Sequence, residues 1–206
     1  MNKALLIILD GYGEGEPSKF NAVKNANTPV LDEIKQHSFS LLKTDGEAVG
    51  LFDGDMGGSE VGHTTIGAGR VVPSTAKLIQ DEIKSGKFNQ NKVIVEMNKN
   101  LKDNNADLHL FGLMSDKNMH SNINHLLKII DISKSSAKNI FIHFVTDGRD
   151  CGEHESIKYL KILKKHIKNI KNCSILSVSG RFYAMDRENN ENNTNMAFNA
   201  MICANS

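Results

Sequence analysis

Ser59 lies in Met56-Gly57-Gly58-Ser59-Glu60-Val61-Gly62-His63, flanked by glycines, with an acid and a histidine just after it. Glycines let a backbone approach a ligand closely and adopt turns that other residues resist. A serine on such a turn can present its oxygen to an electrophile, provided a base or a divalent cation activates it. Near the N-terminus the apolar run Ala4 to Leu9 ends in Asp10-Gly11-Tyr12-Gly13. A strand that delivers an aspartate into a glycine turn is a common way to hold a metal or phosphate at the edge of an open α/β sheet. Taken singly, each segment reads as an ordinary Asp-Gly or serine turn. Taken together, they predict one site with Asp10 as metal ligand and Ser59 as nucleophile and second ligand. Oxygen donors of this kind suit Mg²⁺ or Mn²⁺.

The remaining candidates follow other apolar runs. Short runs at Ala4–Leu9, Leu108–Leu113, Ile140–Val145 and Ser174–Val178 are bounded by Asp, Asn, Gly or Ser and read as buried parallel strands. Helical patterns lie between them. Thr28-Pro29 starts one through about Gln36, and Ser74 to Ser85 forms another with Gly86 as its stop. Ser121 to Ile132 and His154 to Ile170 complete the set. The last is amphipathic, with Ile157, Leu160, Leu163 and Ile167 inward and its lysines solvated. Strands alternating with helices predict an α/β fold with mostly parallel sheets flanked by helices. His120, the Asp147-Gly148-Arg149-Asp150 segment and Arg181 each fall just past a strand end, where such folds place ligands.

These segments, in this order, resemble the cofactor-independent (2,3-bisphosphoglycerate-independent) phosphoglycerate mutases of the alkaline phosphatase superfamily. The stretches that carry the likeness are the Asp10 and Ser59 segments, Gly112 to Ser121, His143 to Asp150 and Gly180 to Arg187. The likeness covers the chain from Ala4 onward. It implies an isomerase of glycolysis and gluconeogenesis that moves a phosphoryl group between the 3- and 2-hydroxyls of glycerate through a phosphoserine. By the same resemblance Ser59 is the nucleophile, Asp10 and Ser59 hold Mn²⁺ or Mg²⁺, and His120, Arg149, Asp150, Arg181 and Arg187 bind phosphoglycerate. Residues 1–73 then correspond to the opening segment of the alkaline-phosphatase-like domain, and residues 74–206 to most of the inserted transferase domain. His63 and His143 match family segments but are read as structural, and His125 as a packing or surface residue.

The chain departs from the family pattern at several points. Gly58 stands where asparagine is usual, and Lys117-Asn118 replaces Gly-Gly in the loop carrying His120. The charged and aromatic run expected after Arg187 is replaced by an asparagine-rich one, read as a solvated stretch. Family members are more than twice this length and take most metal ligands from a C-terminal half. Two readings follow. One is an N-terminal portion of the mutase, inactive alone and completed by a separate C-terminal half. The other is a catalytically silent fragment or pseudoenzyme retaining at most weak phosphoglycerate or anion binding.

Bulk properties narrow the partners. Twenty-five basic and 24 acidic residues give a formal net charge of +1, which offers no nucleic-acid footprint. No apolar run reaches transmembrane length, and the N-terminal run is too short for a signal segment, so no membrane partner is expected. Cys151, Cys173 and Cys203 are odd in number and lack metal-ligand spacing, which points to a reducing, cytoplasmic compartment.

Overall fold

The computed structural model describes residues 3–37 and 39–203. The chain divides into two compact units, residues 1–77 and 78–206.

The second unit is an α/β layer. Its strands are β1 (Leu108–Met114), β2 (Ile140–Thr146) and β3 (Cys173–Gly180), all parallel in the order β1-β2-β3. These are three of the four apolar runs read from the sequence. The β2–β3 register shifts between Ile142 and His143: Ile142 faces Ile175 and His143 faces Ser177, so Leu176 is an extra residue. Three helices supply the packing partners, α5 (Lys92–Asp103), α6 (Ile123–Ser133) and α7 (Ser156–Ile167). Leu101, Ile123, Ile130, Tyr159 and Leu163 from these helices pack with Met114, Ile140, Ile142 and Phe144 of the sheet. Each fully buried aliphatic or aromatic side chain in such a cluster contributes roughly 1.5–3 kcal/mol.

The buried stripe of α7 is rotated from the sequence expectation. Tyr159 and Leu163 are fully buried, whereas Ile157 is 61% exposed. The tyrosine body fills the core while its hydroxyl reaches a polar partner, a combination that an all-aliphatic template does not anticipate.

The opposite sheet face carries a polar chain. His109 Nδ1 lies 3.0 Å from His143 Nε2, and His143 Nδ1 lies 2.8 Å from Ser177 Oγ. His143 is buried. His125 on α6 is partly buried, and its Nε2 has no hydrogen-bond partner among the described residues.

Beyond β3 come the short α8 (Arg181–Ala184) and α9 (Glu191–Phe198). The asparagine-rich stretch, expected to be merely solvated, is largely exposed but helical. Asn190 caps α9 by accepting from the Asn193 amide, because asparagine is a strong N-cap however weak a helix former it is.

The first unit contains α1 (Ala22–Asn25), α2 (Pro29–His37), a 3₁₀ turn over Gly46–Val49, α3 (Ser59–Ala68) and the start of α4 (Thr75–Ser85). Glu14 ties the N-terminal segment to α1 and α2 through Lys24 (2.6 Å) and Lys35. The expected strand at Ala4–Leu9 is not formed: the segment has no regular structure and is exposed, Leu5 by 84% and Ile7 by 70%. The physical reason is pairing. A strand needs a neighbour for its N–H and C=O groups, and no other strand exists among the described residues of this unit. Only Gly46, Val49 and Gly50 are buried among those residues, so nothing here covers the apolar run.

Candidate active site

Ser59 is the first residue of α3, after Gly58 in extended conformation. The segment read as a glycine turn is thus the entry to a helix. A helix start leaves unpaired N–H groups and a partial positive charge, which favour an anionic oxygen there. Gly58 offers no side-chain cap to those donors.

The backbone around Ser59 is held by close approach. A Cβ on Gly57 would stand 1.7 Å from the Thr44 carbonyl oxygen, and one on Gly50 2.1 Å from that of Val72. Only glycine fits either place. The amide of Gly46 also donates to the Asp55 carbonyl at 3.0 Å, closing the loop that leads to Ser59.

Within this unit Asp10 and Ser59 are brought together. Ser59 Oγ donates to Asp10 Oδ2 at 2.8 Å across 49 residues of sequence. Both residues are exposed. An octahedral ion with bonds of roughly 2.1 Å sets neighbouring ligand oxygens about 3 Å apart. The pair therefore fits two adjacent positions around Mg²⁺ or Mn²⁺. Among the described residues no group of three or more His, Cys, Asp or Glu side chains could hold a metal ion.

His63, taken from the sequence as structural, also touches the serine. Its Nδ1 lies 3.2 Å from Ser59 Oγ and 2.8 Å from the Ser59 carbonyl oxygen. The available signal was spacing. Once Ser59 begins a helix, position 63 returns over it one turn later.

The second unit has its own candidate site, a cavity of about 690 Å³ past the C-terminal ends of β2 and β3. His120, Arg149, Arg181 and Arg187 all line it. Asp150 is not among the lining residues; it connects through Arg181 (2.8 Å) and through His120, whose Nε2 is 3.8 Å away. All five predicted substrate-binding residues therefore gather in one region.

Asp147 organises this region. Its Oδ1 accepts from the amides of Arg149 (3.0 Å) and Asp150 (3.2 Å) and from the Arg181 guanidinium (2.7 Å). Burial alone would raise the Asp147 carboxyl, but these three donors outweigh it and hold it well below the usual carboxylate range. Arg181 is correspondingly raised by its bonds to Asp150 and Asp147. Arg181 is thus committed to two carboxylates. By contrast, the guanidinium groups of Arg149 and Arg187 make no hydrogen bond or ion pair among the described residues, and both are exposed. Those two are the cations open to an incoming anion.

The loop carrying His120 is pinned at its base. Asp116 accepts from Lys158 Nζ at 3.0 Å and from Tyr159 Oη at 2.9 Å. Burial would raise the Asp116 carboxyl, yet Lys158 and Tyr159 bring it below its ordinary value. Asn118 adopts φ +59°. Asparagine tolerates this left-handed conformation better than most residues, which suits it to the turn. Asp116 and Asp147, read from the sequence only as members of the segments past β1 and β2, serve as anchors.

The comparisons with known proteins agree with one another. Residues 79–206 match the family model described as "BPG-independent PGAM N-terminus". The chain is 43% identical over 201 residues to a 2,3-bisphosphoglycerate-independent phosphoglycerate mutase of Listeria monocytogenes, covering 97% of this chain and 39% of that protein. It is 41% identical over 199 residues to the Synechocystis protein of the same name, covering 96% of this chain and 37% of that one. Among solved structures, Leishmania mexicana phosphoglycerate mutase, studied at low cobalt concentration, matches with a TM-score of 0.72 and 33% identity, over 97% of this chain and 38% of that one. The chain spans about 39% of the length of the Listeria relative. It belongs to the family of the N-terminal part of the BPG-independent phosphoglycerate mutases.

Proposed function

We propose that this chain carries the nucleophile and most of the glycerate-binding groups of a phosphoglycerate mutase that interconverts 3- and 2-phosphoglycerate. Ser59 takes the phosphoryl group as a phosphoserine and returns it to the other hydroxyl of the same glycerate. Residues 1–73 act as the opening part of the metal-binding phosphatase-like domain, and residues 74–206 as part of the transferase domain. The observation that carries this reading is the 2.8 Å hydrogen bond between Ser59 and Asp10, made at the start of a helix.

Asp10 and Ser59 would hold a divalent cation, manganese or magnesium by donor type, which when bound lowers the cost of charge on a hydroxyl oxygen. Arg149 and Arg187 bind the carboxylate or phosphate of the substrate, since guanidinium pairs with such groups in two-point fashion. Arg181 and Asp150 fix the pocket wall, and His120 donates to the substrate from the facing loop. Two ligand oxygens are too few for firm binding of such an ion, so the remaining ligands come from a C-terminal half of the enzyme. The enzyme works in the cytoplasm, in glycolysis and gluconeogenesis.

The test is a mutase assay with Mn²⁺. The chain alone should give no turnover. Mixed with the C-terminal portion of a relative, it should interconvert the two phosphoglycerates, and Ser59→Ala should abolish this. If a folded mixture stays inactive while the chain still binds 3-phosphoglycerate, the second reading holds, that of a silent fragment. Arg181's engagement by two carboxylates is the observation that favours it, because it leaves fewer free cations for a tight anion site.

A further inference from the structure

The hydrogen-bond partners of Ser59 fix which atom carries which proton. His63 Nδ1 lies 2.8 Å from the Ser59 carbonyl oxygen, and a carbonyl can only accept. Nδ1 therefore bears a hydrogen. The Asp10 carboxylate is also an acceptor, so the single hydroxyl hydrogen of Ser59 points to Oδ2 at 2.8 Å. The lone pairs of Ser59 Oγ are then left for the Nδ1 hydrogen at 3.2 Å, shared with the carbonyl. The opposite arrangement, Ser59 donating to Nδ1, would set a nitrogen lone pair against the carbonyl and a hydroxyl lone pair against Asp10. It replaces two attractive contacts by two repulsive ones. Protonation of the ring changes nothing, because the imidazolium also carries hydrogen on Nδ1.

We propose that His63 is a catalytic residue that acts as a hydrogen-bond donor to the nucleophilic oxygen, not as its base; this rests on the reading of Ser59 as nucleophile. The Ser59 carbonyl holds the ring in the Nδ1–H form and shares that hydrogen with Oγ. When Oγ carries negative charge, the bond becomes charge-assisted, and such bonds are roughly twice as strong as neutral ones. The helix start acts on the same oxygen in the same sense. His63 is thus part of a donor set prepared before the reaction, which is the arrangement that stabilises developing charge most effectively.

The first test needs neither metal nor turnover. Long-range proton–nitrogen spectra of the histidine-labelled chain, with His63 assigned through His63→Asn, should show hydrogen on Nδ1 and none on Nε2 at neutral to alkaline pH. Ser59→Ala should leave that tautomer in place, because the backbone carbonyl remains. A dominant Nε2–H form would overturn the proposal. The second test uses the chain mixed with a C-terminal portion. Asparagine can place an N–H near the Nδ1 position and glutamine near Nε2, so rates should fall in the order wild type, His63→Asn, then His63→Gln and His63→Ala together. The last two should lose roughly 10²-fold in turnover, as for loss of one oxyanion donor. Loss with Ser59→Ala but none with His63→Ala or His63→Gln would sink the role of His63 and leave Ser59 as nucleophile. Full turnover with Ser59→Ala would instead sink the nucleophile reading. If the mixture shows no turnover, the tautomer result decides the proposal.

Discussion

Arg181 Nη1 lies 2.7 Å from Asp147 Oδ1, and the Asp147 side chain is fully shielded from solvent. One buried carboxylate thereby holds a cavity-lining arginine and two amides of the loop bearing Arg149 and Asp150. Removing it leaves Arg181 with Asp150 alone and takes the acceptor from two loop amides, and each unmet donor costs roughly 1–3 kcal/mol. Asp147→Ala should lower the stability of the second unit by about 3 kcal/mol, read as a drop in urea midpoint at unchanged slope. An unchanged midpoint would mean that the pair does not anchor the loop.

The pH dependence follows from the same anchors and from the histidines. Burial, then the neighbouring His109, lowers His143; burial lowers His125. A depressed folded-state value means that the unfolded chain takes up protons first. Stability should therefore be full above about pH 6.5, the unperturbed histidine value, and fall as acid is added. Asp147 and Asp116, also depressed, retain their contribution down to the unperturbed carboxylate range near pH 4 and lose it below that. Urea midpoints between pH 7 and 5 should show the first loss, and His143→Gln should flatten it. A midpoint that rises on acidification would contradict this sign.

Tyr159 offers a subtler probe. Its ring is buried, and burial, followed by Asp116, raises the hydroxyl above its usual range. Tyr159→Phe keeps the packing but removes the bonds to Asp116 and Glu155. It should cost about 1.5–3 kcal/mol, and amide exchange should quicken over residues 116–121, the loop carrying His120. Unchanged exchange there would show that Lys158 alone holds the loop.

Glycines near Ser59 should separate into two kinds. Gly57→Ala forces a methyl against the Thr44 carbonyl and should displace Ser59 from Asp10. Gly62→Ala meets nothing within 4 Å inside α3 and should stabilise the helix by about 0.5–1 kcal/mol. The His63 nitrogen resonances should move in the first variant and stay in the second. The reverse pattern would contradict the close-approach argument.

The legible parts of this chain share one property: their partners lie within it. Ile140–Val145 reads as a strand from composition, and it is one because β1 and β3 flank it. Ala4–Leu9 has the same composition but no neighbouring strand among the described residues of its unit, and composition cannot report a neighbour. The helix from Ser59 was hidden by Gly57, Gly58 and Gly62, which suggest a turn. With it was hidden the one-turn spacing that brings His63 to Ser59. Arg149, Arg181 and Arg187 were legible as a cluster. That Arg181 is occupied by Asp147 and Asp150 while the other two are open depends on side-chain geometry, which spacing does not encode.

If Arg149 and Arg187 are the open cations, Arg149→Ala and Arg187→Ala should each weaken 3-phosphoglycerate binding by calorimetry, and added salt should weaken it further. Arg181→Ala should chiefly destabilise the fold. Equal heats from wild type and the Arg149→Ala/Arg187→Ala double variant would remove the pocket from the account.

If Ser59 accepts the phosphoryl group, the modified residue can be caught by peptide mass mapping of the chain after rapid acid quench, with Mn²⁺, 3-phosphoglycerate and the C-terminal portion of a relative present. A phosphoryl group should appear on the peptide containing Ser59, assigned to that residue and absent in Ser59→Ala. Turnover of phosphoglycerate with the phosphoryl group on another residue, or with none on the chain, would contradict it.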